Sequence, residues 1–151
     1  MFPSGLIVAI DHVGVAVADL DEAVEFYRTK FGFALVHEEV NTDQGVREAM
    51  VAIGDSSGPC LQLLAPLRAD SPLGGFLDRS GPGVQQLAYR VTDIGEAMSA
   101  VRAEGMRLLY DEPHRGTANS RINFIHPKDA GGVLIELVEP AATHGPAQPT
   151  R

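Results

Sequence analysis

The order of hydrophobic and polar positions near the start of the chain predicts a strand followed by an amphipathic helix. In Ile10–Val17, valines alternate with small residues and one histidine, His12, which is the two-residue period of a strand with one aliphatic face. Either Asp19 or Asp21 can then cap a helix, whose apolar side recurs every three or four residues as far as Tyr27. This stretch therefore predicts a β-strand, a short turn and a helix.

The same pattern returns later in the chain at a constant shift of 74 positions. The shift carries Ile10–Ala23 onto Val84–Ala97 and Leu61–Leu63 onto Ile135–Leu137. Two separate segments that obey one ungapped shift indicate an internal duplication, with chance similarity between two strand–helix units as the alternative. Further apolar runs follow each helix, so each copy is predicted to have the order βαβββ.

The remaining elements are predicted from apolar runs between turn signals. The predicted strands are Phe33–Val40, Val46–Ile53, Cys60–Leu64, Val84–Val91, Leu108–Tyr110, Arg121–Ile125 and Gly132–Val138, and the second helix is Ile94–Glu104. Neighbouring residues of a strand face opposite sides. We therefore expect Gln86, which the shift pairs with His12, to face the same side as His12, and Gln85 to face away.

Turn signals and composition divide the chain into two modules within one domain over residues 6–140. Module one covers about 6–66, a linker rich in Pro and Gly with a short helical turn covers 67–83, and module two covers about 84–140. The tail 141–151 is rich in Pro, Ala and polar residues, which predicts disorder. The predicted fold class is α+β, with two tandem βαβββ modules that form a cupped mixed sheet around a cleft.

The overall composition limits the possible partners. A net charge of −8 and a pI near 5.0 argue against a general nucleic-acid-binding protein. No apolar run approaches the roughly 18 residues of a membrane span, and the first ten residues do not have the pattern of a secretory signal. The single cysteine, Cys60, excludes an internal disulfide and fits a reducing compartment. We therefore expect a cytoplasmic protein that binds neither nucleic acid nor membrane.

One polar residue stands on each of four predicted strands, at equivalent points of the repeat. His12 and Gln86 are related by the shift of 74, and so are Gln62 and Glu136. Each residue alone is more often an ordinary hydrogen-bonded side chain in a groove. Together they supply an imidazole nitrogen, two amide oxygens and a carboxylate, which is a plausible ligand set for a divalent metal ion.

Four segments of the chain resemble the vicinal oxygen chelate, or glyoxalase-like, superfamily and, within it, the methylmalonyl-CoA epimerases. They are AIDHVGVAVADLDEAVEFY, EEVNTDQGVREAM, LQLLAP and RGTANSRINFIHPKDAGGVLIELVEP, which together cover about residues 9–140. The resemblance implies a metal-dependent interconversion of the 2R and 2S forms of methylmalonyl-CoA, through an enolate formed by removal of the α-proton. It also implies a divalent metal, most often Co²⁺, and a homodimer.

The resemblance also assigns the metal ligands and a catalytic base. The metal positions of the family match His12, Gln62 and Glu136, while Gln86 stands where the family commonly has a histidine. The catalytic glutamate matches Glu48, whose neighbours on the same strand face are apolar, and such a setting raises a carboxyl pKa toward neutrality. A surface carboxylate paired with Arg47 is the alternative interpretation of Glu48. The acid on the opposite face is either Glu136 or a water molecule.

Coenzyme A carries phosphates, and basic and hydroxyl residues cluster late in module two. We predict that Arg115, Arg121 and Lys128 contact phosphate, and that Ser120 donates to a phosphate or to the substrate carboxylate. A solvated basic loop is the alternative. Two other functions share the fold: a glyoxalase-type lyase or isomerase, and a metal-free small-molecule-binding protein.

Overall fold

The computed structural model describes residues 1–142, and within these residues eight strands form one sheet. In chain order the elements are β1 (Ile7–Ala16), α1 (Leu20–Phe31), β2 (Ala34–Asn41), β3 (Val46–Ala52), β4 (Cys60–Pro66), α2 (Pro72–Ser80), β5 (Gly83–Val91), α3 (Ile94–Ala103), β6 (His114–Arg115), β7 (Arg121–Ile125) and β8 (Ile135–Glu139). The strand order across the sheet is β2-β3-β4-β1-β5-β8-β7-β6. The predicted α+β fold with two βαβββ modules is confirmed. Most of the predicted disordered tail, from residue 143 onward, lies outside the described residues.

The sheet has two equivalent halves that meet at β1 and β5. In each half the first strand pairs in parallel with the last, β1 with β4 and β5 with β8, and the other neighbours are antiparallel. β1 and β5 run antiparallel to each other. Because these two equivalent strands are adjacent, residues related by the repeat lie close together at the centre of the sheet.

Helices α1 and α3 begin at equivalent aspartates. Asp19 Oδ1 accepts a hydrogen bond from the Glu22 amide at 2.9 Å, and Asp93 Oδ1 accepts one from the Glu96 amide at 2.8 Å. Each helix packs over the aliphatic face of its own half. The core under α1 includes Leu20, Val51 and Leu63, and the core under α3 includes Ile94, Val101 and Leu137. None of the helices in residues 1–142 has both the length and the apolarity needed to cross a bilayer.

The linker contains more structure than the predicted short turn. Helix α2 occupies nine of its residues and packs against the sheet through Leu73. Ser71 caps the helix, since its Oγ accepts a hydrogen bond from the Gly74 amide at 3.1 Å, and Pro72 occupies the first turn. The signal for this helix was therefore present in the sequence as Ser71-Pro72.

The predicted strand Leu108–Tyr110 is wrong, because Leu108 makes only an isolated bridge to Ile125. Beyond this bridge, the side chain of Asn123 on β7 takes the place of backbone pairing. Its Oδ1 accepts from the Tyr110 amide at 3.2 Å, and its Nδ2 donates to the Tyr110 carbonyl at 2.9 Å. The strand that pairs with β7 on the edge away from β8 is β6, which comes later in the chain.

The last strand begins at Ile135, three residues later than the predicted Gly132. Gly131 and Gly132 have φ values of 66° and 89°, which an extended strand does not tolerate. They form a turn instead, in which the Gly132 amide donates to the Pro127 carbonyl at 2.8 Å.

Candidate metal centre

Two small buried residues, Gly14 and Ala88, form the floor of the site and are themselves related by the shift of 74. The four predicted ligands flank them in register, Gln62 and Gln86 beside Gly14, and His12 and Glu136 beside Ala88. A Cβ atom on Gly14 would lie 2.3 Å from Gln86 Cγ. Glycine therefore leaves the space that the Gln86 side chain occupies.

Two acceptor oxygens and an imidazole nitrogen, from three strands, converge on one point in this site. Gln86 Nε2 lies 2.5 Å from Glu136 Oε2, 3.0 Å from Gln62 Oε1 and 3.3 Å from His12 Nε2. All four residues are buried. A cation in place of the amide nitrogen would meet an imidazole nitrogen, an amide oxygen and a carboxylate oxygen. This donor set fits a divalent metal ion.

The surroundings of His12 favour positive charge at this point. His12 Nδ1 lies 2.7 Å from Asp11 Oδ2, and Asp11 Oδ1 accepts from Arg90 Nε at 2.9 Å. Burial lowers the pKa of His12, but the hydrogen bonds to Asp11 and Glu136 outweigh burial and raise the pKa to about 9. A metal ion would therefore compete with a proton that the pocket already stabilises.

The two amides are essential to the candidate centre. Among residues 1–142, no group of three or more His, Cys, Asp and Glu side chains is placed to hold a metal ion. His12 and Glu136 supply two such side chains, and the neighbouring polar groups that could add ligands are the amides of Gln62 and Gln86. A neutral amide oxygen generally binds later first-row ions more weakly than imidazole does. We therefore expect lower metal affinity than at a site with a second histidine.

Glu48 lies beside these residues and is 3% exposed. Gln62 Nε2 donates to Glu48 Oε2 at 3.1 Å, and Thr117 Oγ1 donates to Glu48 Oε1 at 2.6 Å. Burial is the main cause that raises the pKa of Glu48 to about 7; Glu39 and Glu136 raise it further, and the hydrogen bond from Thr117 opposes them. A carboxylate that is half ionised near neutral pH is suited to general-base chemistry.

The alternative partner of Glu48, Arg47, makes its ion pairs elsewhere. Arg47 Nη2 lies 2.8 Å from Asp21 Oδ1 and 2.6 Å from Glu38 Oε1. Strand alternation places Arg47 and Glu48 on opposite faces of β3. The interpretation of Glu48 as a surface carboxylate paired with Arg47 is therefore wrong.

Two cavities open on the site. A cavity of about 180 Å³ is lined by Glu48 and by three of the four candidate ligands, and its apolar wall includes Leu73 and Tyr110. A second cavity of about 400 Å³ is lined by His12 and by residues of β2, β3 and β4. Glu136 and Thr117 line both cavities. The candidate centre can therefore be approached from two sides.

Gln85 lines the smaller cavity, although strand alternation predicted that it would face away from the cleft. The pairing of β1 with β5 shifts register here, since Gly14 lies opposite Gln86 while the next residue, Val15, lies opposite Val84. Gln85 is thus the extra residue of a β-bulge, and a bulge redirects side chains.

The predicted substrate-binding residues do not form a single cluster. Arg115 and Arg121 are register partners on β6 and β7, and both are exposed. Lys128 follows the opposite end of β7, so the length of that strand, roughly 13 Å from its first residue, Arg121, to its last, separates the two side chains. Ser120 is buried and lines the larger cavity.

Thr117 is the residue of the site that sequence reasoning missed. Its Oγ1 lies 2.6 Å from Glu48 Oε1 and 2.7 Å from Gln62 Nε2. These contacts join residues 69 and 55 positions apart, so no local pattern predicts them. The visible signal is only a run of small, hydroxyl and amide residues, GTANS, before β7.

The chain is similar to known proteins over most of its length. Residues 11–124 match the Glyoxalase/Bleomycin resistance protein/Dioxygenase superfamily. The crystal structure of methylmalonyl-CoA epimerase from Mycobacterium tuberculosis is 57% identical, with 94% of both chains covered and a TM-score of 0.88. A variant of the Streptomyces coelicolor methylmalonyl-CoA epimerase in complex with 2-nitronate-propionyl-CoA is 50% identical, with 90% of this chain and 99% of that chain covered and a TM-score of 0.87.

Curated relatives show the same similarity at greater distance. The mitochondrial methylmalonyl-CoA epimerase of Mus musculus is 36% identical over 129 residues, which are 85% of this chain and 71% of that protein. The Ethylmalonyl-CoA/methylmalonyl-CoA epimerase of Cereibacter sphaeroides is 33% identical over 130 residues, which are 85% of this chain and 95% of that protein. The chain belongs to the Glyoxalase/Bleomycin resistance protein/Dioxygenase superfamily and, within it, to the methylmalonyl-CoA epimerases.

Proposed function

We propose that this protein interconverts the 2R and 2S forms of methylmalonyl-CoA by removing and returning the proton on the carbon between the thioester and the carboxylate. Membership in the epimerase family supports the reaction, and a relative 50% identical has been solved with methylmalonyl-CoA. The observation in this chain that carries the proposal is the buried Glu48 beside the convergence point of the acceptor atoms. Glu48 would supply a base, and the convergence point would supply a cation-binding site, within one cleft.

The proposed metal ligands are His12 Nε2, Gln62 Oε1 and Glu136 Oε2, joined by the amide oxygen of Gln86 after rotation of that side chain. A divalent ion fits this donor set, and we propose Co²⁺ because the imidazole nitrogen favours a later first-row ion. A bound ion supplies Lewis acidity toward developing negative charge on the substrate, worth several kcal/mol.

Glu48 is the proposed base for the α-proton. Hydrogen bonds from Gln62 and Thr117 hold its two oxygens, so the carboxylate is already oriented before the substrate binds. Its pKa of about 7 leaves a large share of the carboxylate ionised at neutral pH. A positioned general base contributes roughly 10²- to 10⁴-fold to the rate.

Glu136 is the proposed acid on the opposite face of the substrate. Gln62 donates to Glu48, while Gln86 donates both to Gln62 Oε1 and to Glu136. Two hydrogen-bonded amides therefore separate the two carboxylates, which supports removal of the proton by one carboxylate and its return by the other. Because Glu136 Oε2 is the proposed metal ligand, the proton that Glu136 returns would be carried by its other oxygen. After one turnover Glu48 holds the abstracted proton and Glu136 is ionised, so proton exchange with water returns both residues to their starting states. The two residues exchange roles in the reverse direction.

The proposed contacts to coenzyme A follow from the separate positions of the basic residues. We propose that Arg115 and Arg121, which are adjacent on neighbouring strands, share one phosphate group, and that Lys128, beyond the far end of β7, contacts another. Ser120 is buried beside the larger cavity, which favours a contact with the substrate carboxylate over one with a solvated phosphate.

We also propose a homodimer in the cytoplasm. Exposed aliphatic side chains on β1 and β5 support the dimer: Ile7 is 40% exposed, Val8 52%, Ile10 43% and Val84 68%. The single cysteine, Cys60, fits a reducing compartment. Sedimentation equilibrium of the purified protein tests the oligomeric state.

Metal removal and replacement test the proposed function. Protein treated with a chelator should not interconvert the two forms of methylmalonyl-CoA, as followed by a coupled assay specific for one form, and Co²⁺ should restore activity. Glu136→Ala should lose both metal and activity. Full activity in metal-free protein would contradict the metal requirement, and inactivity of the wild type with every divalent ion tested would contradict the function.

A further inference from the structure

We infer that Thr117 is a positioning residue that orients both the proposed base, Glu48, and a proposed metal ligand, Gln62. This inference rests on the proposed function. Thr117 lies in the turn Thr117–Asn119 of module two, whereas Glu48 and Gln62 lie on β3 and β4 of module one. Its hydroxyl therefore connects one half of the sheet to the reactive groups of the other half.

When Glu48 is ionised, as a base must be, the hydrogen bonds around Thr117 have a fixed direction. A carboxylate oxygen can only accept, so the 2.6 Å contact with Glu48 Oε1 uses the hydroxyl proton of Thr117. Thr117 Oγ1 must then accept at its 2.7 Å contact with Gln62, which assigns a nitrogen to that position of the amide. The same nitrogen donates to Glu48 Oε2 at 3.1 Å.

This arrangement decides which way the Gln62 amide faces. Both N–H bonds of Gln62 are used, one toward Thr117 and one toward Glu48. Gln62 Oε1 therefore faces Gln86 and the convergence point, as a metal ligand must. Without the Thr117 hydroxyl, one of the two contacts that hold the Gln62 nitrogen is lost.

The turn that carries Thr117 adopts a conformation that residues other than glycine rarely adopt. Ala118 has φ 52° and ψ 41°, and Asn119 has φ 63°. Such conformations persist where surrounding contacts enforce them, and they concentrate at functional sites. Glu39 supplies one such contact, because its Oε2 accepts from the Ala118 amide at 3.2 Å. This hydrogen bond to Glu39 helps to hold Thr117 over the strands that carry Glu48 and Gln62.

The test compares Thr117→Val, which removes the hydroxyl at similar volume, with Thr117→Ser, which keeps it. Thr29→Val is the matched control, because Thr29 is exposed on α1 and, among residues 1–142, its hydroxyl donates to the backbone carbonyls of Glu25 and Phe26 and to no other residue. The measurements are kcat and KM for epimerisation, and the affinity for Co²⁺ alone by calorimetry. Thermal unfolding of each variant checks that it is folded.

Thr117→Val should lower kcat and weaken Co²⁺ binding by about 10- to 100-fold each, the usual effect of removing a residue that orients a ligand, with a smaller change in KM. Thr117→Ser should restore most of both losses, and Thr29→Val should match the wild type. Thr117→Ala removes the hydroxyl without a bulky replacement and should show the same losses. It serves as the test variant if Thr117→Val does not fold.

If Thr117→Val or Thr117→Ala has the same kcat and the same affinity for Co²⁺ as the wild type, the inference is overturned. Equal losses in the valine and serine variants would also overturn it, because the hydroxyl would then not be the cause. The Co²⁺ titration requires no turnover. A wild-type protein that binds Co²⁺ but does not epimerise would therefore count against the proposed function, while the titration would still decide the role of Thr117.

Discussion

Replacing Glu48 with glutamine should stabilise the protein at alkaline pH while it removes most of the activity. Glu48 is 3% exposed, and burial raises its pKa from the ordinary 4.5 to about 7. A raised carboxyl pKa means that ionisation costs more in the folded protein than in the unfolded chain. The free energy of unfolding therefore falls as the pH rises from about 4.5 through about 7, and the full cost is present above pH 7.

The size of this cost follows from the two pKa values. Each pH unit between the folded and unfolded pKa corresponds to about 1.4 kcal/mol, so the cost above pH 7 is on the order of 3 kcal/mol. Glutamine has nearly the same volume and carries no charge. It can still accept the hydrogen bond from Thr117, but its amide nitrogen cannot accept the bond from Gln62, and this loss is the same at every pH. Glu48→Gln should thus raise the free energy of unfolding at pH 9, and its effect should be more stabilising at pH 9 than at pH 4.5 by up to that amount.

Urea unfolding at pH 4.5 and pH 9, followed by circular dichroism, measures the stability difference. The rate of epimerisation of the same variant should fall by about 10²- to 10⁴-fold. Glu112→Gln, at an exposed position, controls for the loss of one negative charge. A variant that is no more stable than wild type at pH 9, or equally stabilised at both pH values, would refute the raised pKa. An unchanged rate would refute the role of Glu48 as base.

Two further predictions concern the pH profile and the floor of the site. For the wild type, kcat/KM should rise as the pH increases through about 7, because the base must be ionised. Glu39→Gln should move this rise to lower pH, because it removes a charge that raises the pKa of Glu48. A profile that is flat between pH 5 and pH 8 would contradict this assignment. Gly14→Ala should weaken Co²⁺ binding by about tenfold, because the new methyl group would lie 2.3 Å from Gln86 Cγ. Gly83→Ala, whose methyl group would have no atom within 4 Å, should bind Co²⁺ as the wild type does, and equal affinities in the two variants would contradict the proposed role of Gln86.

The repeat explains why so much of the fold could be predicted from the sequence. A shift of 74 positions relates Asp19 to Asp93 and His12 to Gln86, and a duplicated βαβββ unit imposes the same register on both copies. Strand alternation then places the four polar residues on one face. Their convergence in the structure follows from pairing β1 with β5, which brings equivalent positions together.

Features that depend on irregular backbone or on contacts between modules could not be predicted. Gln85 turns into the cleft because a bulge interrupts the alternation on which its prediction relied. The strand expected at Leu108–Tyr110 is replaced by hydrogen bonds from the Asn123 side chain, which no periodicity encodes. Thr117 reaches the base only because its turn folds back over the other module.

Exchange of the α-proton with solvent tests the central claim most directly. Methylmalonyl-CoA incubated in heavy water with the Co²⁺-loaded wild-type protein should lose its α-proton NMR signal as deuterium enters at that carbon. Glu48→Gln should exchange this proton at least about 10²-fold more slowly. Wild-type protein that leaves the α-proton in place, or a variant that exchanges it at the wild-type rate, would contradict abstraction of this proton by Glu48.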